Sequence, residues 1–300
     1  SGAPNEVLER LAGRGASAGR YRFEGEVAHG GMGASLGVWD QDLRRNLAMK
    51  VMLGKGAGEG TGDTPPADPR MLSRFLEEAQ VTGQLDHPGI VPVHELGLDA
   101  QGRVFFTMKL VKGRTLKEVL DDVAAGEGGW TESRALGVLL KVCEAMSYAH
   151  AKGVLHRDLK PANVMVGRFG EVYVMDWGLA RVLGRDDEKD LRIRPRSDAE
   201  PGRTSEVLSD RKDRAAEGTD SPLYTMDGDV VGTPAYMPPE QARGELARMG
   251  PHSDVYSLGA ILYHLIARHA PYLPPRVKAN NYAVWQLVQQ GPPQPLRARA

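Results

Sequence analysis

The sequence predicts an α+β fold in two lobes: a small antiparallel β-sheet with one main helix, then a mostly helical second half. Three observations carry that expectation. Between Tyr21 and Met108, short apolar and β-branched runs alternate with polar residues and are broken by glycine turns, the period-two pattern of strands. From Leu116 on, apolar residues recur at helical spacing behind capping residues. Where the second pattern is interrupted, at 154–166, His156, Arg157, Asp158, Lys160 and Asn163 crowd one short loop fenced by Val154-Leu155 and Val164-Met165-Val166. Three hundred residues suffice for one large domain or two modest ones, each with a core.

Composition narrows the function classes. A formal net charge of -1 argues against a nucleic-acid-binding surface as the main function, so no nucleic-acid partner is expected. The single cysteine, Cys143, cannot form an intrachain disulfide and belongs to no zinc-ligand pattern. It is expected in the core, and the chain in a reducing, cytoplasmic compartment. No uninterrupted apolar run approaches the length of a membrane span, and the N-terminus lacks the layout of a signal peptide, so no membrane partner is expected within this chain.

Residues 1–19 are rich in Gly, Ala, Ser and Arg with only a Val7, Leu8, Leu11 stripe, which reads as an extension or linker with room for one helical turn. Over 21–51 two strands flank a glycine turn at His29-Gly30-Gly31-Met32-Gly33, where the backbone could approach a phosphate and offer its N–H groups. Leu47-Ala48-Met49-Lys50-Val51 is a strand with one charge in an apolar run. Residues 54–67 form a loop, and Asp68 before Pro69 opens a helix whose Leu72, Phe75-Leu76 and Ala79 lead toward Leu85. Neighbouring helical residues point about 100° apart, so only one of Glu77 and Glu78 is expected to face Lys50, the other meeting solvent. Residues 87–91 and 104–108 are read as two further strands, completing a five-stranded sheet.

A helix follows near 116–123. Thr131 caps a long one with a Leu136, Leu139-Leu140, Cys143, Met146 stripe, and Gly153 ends it. In the loop beyond, Asp158 could accept a hydroxyl proton, Lys160 could neutralise a transferring anion and Asn163 could hold a metal. A strand at 171–175 stops at Asp176, which precedes a glycine and could aim its oxygens at a magnesium ion. Residues 184–229 are too polar to pack. Ser253 is expected to cap a core helix bearing Val255, Leu258, Ile261-Leu262 and Leu265, and a short helix near 282–289 ends at Pro292-Pro293.

The run His156-Arg157-Asp158-Leu159-Lys160-Pro161-Ala162-Asn163 resembles the catalytic loop of eukaryotic-type protein kinases. The other motifs of that family follow in its order over 21–272. They are the glycine-loop segment 28–35, the strand lysine Lys50, the helix glutamate Glu78, Asp176-Trp177-Gly178 for Asp-Phe-Gly, and Pro238-Pro239-Glu240 for Ala-Pro-Glu. Gly-Gly-Met-Gly and Gly232-Thr233-Pro234-Ala235-Tyr236-Met237 look most like the bacterial branch. The resemblance implies a bilobal protein-kinase-like fold, with an extension at 1–19, an N-lobe at 20–109 and a C-lobe at 110–300. The C-lobe would lack the family's last helices, with neither Arg297 nor Arg299 standing in for the arginine that pairs with Glu240.

The resemblance also implies a Ser/Thr protein kinase that uses ATP with Mg²⁺, or Mn²⁺ as the alternative. Ala28, His29, Gly30, Gly31, Met32, Gly33 and Ser35 would cover the nucleotide, with Ala28 standing for a Gly and Ser35 for a Val. Lys50, held by Glu78, would bind phosphates, while Ala48, Met108, Lys109, Val111 and Met165 would surround adenine. Asn163 and Asp176 would carry the metal, and Asp158, Lys160 and Thr233 would meet the acceptor hydroxyl of a protein substrate. Thr219, Ser221 and Thr225 would be phosphosites that Arg157 could pair with, implying self-association for trans-autophosphorylation. The alternatives are a pseudokinase or nucleotide-binding scaffold, and a kinase of small molecules.

Overall fold

The structure, a computed structural model, describes residues 3–13, 19–30, 33–52, 69–183, 234–274 and 280–296. It divides into two compact units. One holds the described residues up to 86 together with Val91–Val111; the other holds His87–Ile90 and the described residues from 112 on.

The first unit opens with a helix, α1 (Ala3–Gly13), where the sequence suggested a linker. A helix of 11 residues is marginal by itself in water, so packing is what holds it. Val7 and Leu11, one turn apart, are 5% and 3% exposed against other elements, and burying each contributes roughly 2 kcal/mol. Strands β1 (Tyr21–Gly30), β2 (Gly33–Asp40) and β3 (Arg45–Val51) follow, then helix α2 (Pro69–Gln84) and strands β4 (Val93–Leu98) and β5 (Val104–Lys109). They form one antiparallel sheet in the order β1-β2-β3-β5-β4. The five strands are those expected except for one. Residues 87–91 are not a strand: Pro88 and Gly89 turn the chain, the Gly89 N–H donates to His87 Nδ1 at 2.9 Å, and only Ile90 makes a single bridge, to Val174. Proline has no N–H for a ladder, and the strand here, β4, begins past Pro92.

Period-two alternation separates two cores. Val38, Leu47, Met49, Val51 and Phe105 pack on one side of the sheet. Met52, Val104 and Phe106 pack on the other, with Leu72, Phe75, Leu76 and Ala79 of α2 and Val7 and Leu11 of α1. Lys50, even-numbered between Ala48 and Met52, thus lies on the side that α2 covers.

The second unit contains β6 (Gly113–Thr115), α3 (Leu116–Ala125), α4 (Glu132–Ala151), β7 (Val154–Leu155), β8 (Val164–Gly167), β9 (Val172–Val174) and β10 (Arg181–Val182). After the gap come α5 (Pro239–Ala242), α6 (Pro251–Ala267) and α7 (Asn281–Gln290). Thr131 caps α4 as expected, its hydroxyl accepting from the Arg134 N–H, and Gly153 leaves it with φ +74°.

The buried face of α4 takes in only Leu139 and Met146 of the expected stripe. Ala135, Val138, Leu139, Val142, Ala145, Met146 and Ala149 are buried, whereas Leu136 and Leu140 are exposed. Small residues let neighbours approach closely, so alanines mark this face better than leucines do. Cys143 is half-buried rather than in the core; with Leu139, Met146, Val255, Leu258 and Leu262 it lines a groove between α4 and α6. In α6 the buried residues are Ser253, Asp254, Ser257, Ala260, Ile261 and Leu265, while Val255 is exposed. Ser253 is not the cap. The helix starts at Pro251, and Ser253 sits in its first turn, accepting from the Gly250 N–H and donating to Glu240 at 2.6 Å.

Candidate active site

In the first unit, Lys50 Nζ donates to both oxygens of Glu78, at 2.6 and 2.8 Å. Both side chains are largely buried, at 14% and 5% exposure, so removing either would leave a charge uncompensated at a cost of about 3–5 kcal/mol. Glu77, expected to meet solvent, is buried as well at 6% exposure, because α2 is covered on more than one face.

The β1–β2 hairpin pairs Gly30 with Gly33 across Gly31 and Met32, which lie outside the described residues, and His29 with Ala34. Ala28 stands opposite Ser35, and Ser35 opposite Lys50. The two departures from the glycine-loop pattern are therefore cross-strand neighbours in the row that contains Lys50. Gly33 is required where it stands, since a Cβ there would meet the Val51 carbonyl oxygen at 2.2 Å. Ala48 is buried in β3, and Met108 of β5 packs on the α2 core. The Lys109 N–H donates to the Pro92 carbonyl at 3.1 Å, and the reciprocal bond cannot form because proline carries no N–H. Val111 follows β5, half-buried.

In the second unit, the loop after β7 is held from behind by one carboxylate. Asp254 of α6, 1% exposed, accepts from the backbone N–H groups of His156 and Arg157, each at 2.9 Å, and from His150 Nε2 at 2.8 Å. Burial alone would raise its carboxyl pKa; the hydrogen bonds from His150 and these N–H groups outweigh burial and hold it below the ordinary range. Gln241 donates to the Arg157 carbonyl at 2.9 Å. These contacts keep Arg157 at φ +67°, a conformation that costs a non-glycine residue about 1–3 kcal/mol.

His156 is wholly buried. Its Nδ1 accepts from the Asp158 N–H at 3.3 Å, so the proton resides on Nε2, which donates to the Met175 carbonyl at 2.9 Å. Its ring lies 4.7 Å from that of Trp177, which is 1% exposed and donates its indole N–H to Val174. The loop and the Asp176 turn are thus locked together.

Asp158 Oδ2 accepts from Lys160 Nζ at 2.7 Å and from Asn163 Nδ2 at 3.0 Å; Oδ1 makes no hydrogen bond among the described residues. Asn163 Nδ2 also donates to the Asp158 carbonyl at 2.8 Å, and with two acceptors it fixes the amide so that Oδ1 is left as an oxygen donor. Val164 pairs with Val174, and the Met175 N–H donates to the Asn163 carbonyl at 2.8 Å. Asn163 just before β8 and exposed Asp176 just after β9 therefore share one end of a hairpin. Asp176 adopts φ +59°. An amide oxygen and a carboxylate are the hard donors Mg²⁺ prefers, so the residues present fit that ion. Met165 in β8 pairs with Thr115 and Tyr173.

Thr233, Thr219, Ser221, Thr225, Arg297 and Arg299 lie outside the described residues. Sequence reasoning missed His150 and Gln241. Nothing local marks either; only the fold brings them to the loop.

A family model described as a protein kinase domain matches residues 21–290. The chain is 35% identical over 260 residues to serine/threonine-protein kinase PknD of Protochlamydia amoebophila (strain UWE25), covering 84% of this chain and 23% of that protein. The Chlamydia pneumoniae protein of the same name is 34% identical over 260 residues, covering 84% and 24%. That of Chlamydia trachomatis serovar D is 33% identical over 270 residues, covering 88% and 26%. The chain thus spans about a quarter of the length of the curated relatives it matches.

Proposed function

The chain belongs to the protein kinase family, and from that premise we propose that it transfers the γ-phosphoryl group of MgATP to a Ser or Thr hydroxyl of a protein. One observation supports the reading above the rest: Asp158 has one oxygen engaged by Lys160 and Asn163 and the other unengaged among the described residues. Such a carboxylate is oriented by its partners and still able to accept a proton.

In this mechanism Asp158 Oδ1 takes the proton of the acceptor hydroxyl as that oxygen bonds to the γ-phosphorus. The bond to the β–γ bridging oxygen breaks, and the electron pair leaves with ADP. Lys160 offsets charge on the transferring group. Lys50, held by Glu78, grips the α- and β-phosphates, and the backbone of Gly30 and Gly33 covers them. Asn163 Oδ1 and Asp176 would hold Mg²⁺, which when bound offsets the charge of the phosphates. The chain's contribution is therefore positioning and electrostatics, without a covalent intermediate. Backbone groups of Lys109 and Val111 would read adenine beside Ala48 and Met108.

The test is phosphate incorporation into a mixed Ser/Thr protein substrate from labelled MgATP. Asp158→Ala should lower turnover by roughly 10²–10⁴-fold, the usual contribution of a positioned general base. Equal incorporation by the variant would sink the reading, and nucleotide binding without turnover in the parent would point to a scaffold. Self-association for autophosphorylation in trans belongs to the same proposal, supported by the hydroxyl-rich 184–229 segment. It expects phosphopeptides containing Thr219, Ser221 or Thr225 after incubation with MgATP, and an empty map would remove it. A reducing, cytoplasmic setting is likewise proposed from the lone Cys143, and cell fractionation would test it.

A further inference from the structure

Helix α1 covers more than spare apolar surface. Val7 and Leu11 belong to the cluster that contains Leu72, Phe75, Leu76 and Ala79 of α2 and Met52 beyond β3. Glu78 lies between Phe75 and Ala79 on α2, and Lys50 lies two residues before Met52 on the same side of the sheet. Each end of the Lys50–Glu78 ion pair is thus rooted in the cluster that α1 completes. Helix α1 also packs on β4, the strand against which α2 rests, so it spans helix and sheet.

We propose that Val7 and Leu11 are positioning residues: by closing this cluster they hold α2 at the depth where Glu78 reaches Lys50 at 2.6 and 2.8 Å. The inference rests on reading Lys50 as the lysine that grips phosphates. A helix tied down along only one side can roll, and a roll of about one ångström would break a charge-assisted contact this short, a misplacement that can cost about a hundredfold in rate.

The test is a double-mutant cycle in the full chain. Leu11→Asp should raise KM for MgATP and lower kcat/KM by about tenfold to a hundredfold, while Leu11→Met should stay within about twofold. In a Glu78→Gln background Leu11→Asp should cost less than about a further twofold, because no ion pair remains to be positioned. Without nucleotide, amide exchange over 75–79 should speed up by more than about tenfold in Leu11→Asp and not in Leu11→Met.

An equal loss in both backgrounds, or unchanged exchange, would mean that α1 only stabilises the unit and would overturn the inference. If Leu11→Asp does not fold, Val7→Ala combined with Leu11→Ala is carried through the same cycle with the same criteria. A Glu78→Gln variant that binds MgATP and turns over like its parent would overturn the phosphate-site reading and this inference with it, a result distinct from additivity.

Discussion

A single buried carboxylate, Asp254, holds two backbone amides of the candidate catalytic loop and a histidine from another helix. Replacing it by Ala leaves the His156 and Arg157 N–H groups buried without partners. Asp254→Ala should therefore lose about 4 kcal/mol of unfolding free energy in a denaturant titration, far beyond a surface substitution. His264 sets a second expectation. Desolvation depresses its pKa from 6.5 to about 4, and its Nδ1 sits 2.8 Å from the Tyr236 hydroxyl, which donates to the neutral ring. The unfolded chain binds that proton first as pH falls. The stability His264 contributes is thus complete above about pH 6.5 and declines toward pH 4, by up to about 3 kcal/mol. Melting temperature against pH should show this decline, flattened in His264→Gln. Asp158, Lys160 and Asn163 were legible as a group because they are sequence neighbours. His150 and Gln241 were not, standing 104 residues from Asp254 and 84 from Arg157 respectively.

Among the elements, the helices were placed well and their faces less well. In α4, Leu136 and Leu140 lie on one side and the alanines on the other, with Leu139 buried beside the alanines, and weighting by hydrophobicity favours the side that carries Leu136 and Leu140. The packed side is the alanine side, where Ala145 and Ala149 are completely buried. Leu140→Gln, at 61% exposure, should change stability by no more than about 0.5 kcal/mol, whereas Ala145→Leu should cost about 1–3 kcal/mol by overpacking. Thermal or chemical unfolding distinguishes the two directly. The glycine hairpin was legible from composition, but the reason for Gly33 was not, because the Val51 carbonyl that excludes a side chain belongs to the next strand. Helix α1 was misjudged for a similar reason: its two buried side chains find their partners on α2, some sixty residues onward.

For the molecule as a whole, the first unit is a sheet whose two sides bury two separate cores, and the second is mostly helical around one two-stranded and one three-stranded sheet. Period-two and helical patterning determined that much, because each depends on local backbone geometry and a buried side. The ordered motifs also determined the kinase family and pointed to the candidate residues for its chemistry, since a reacting group and its nearest partners often share one loop. Tertiary structure alone decided which oxygen of Asp158 is engaged, which nitrogen of His156 carries the proton and which side of α4 is packed. It also decided that residues 3–13 form a helix resting on α2. Each of these depends on contacts between residues far apart in the chain, and a contact of that kind has no local signature.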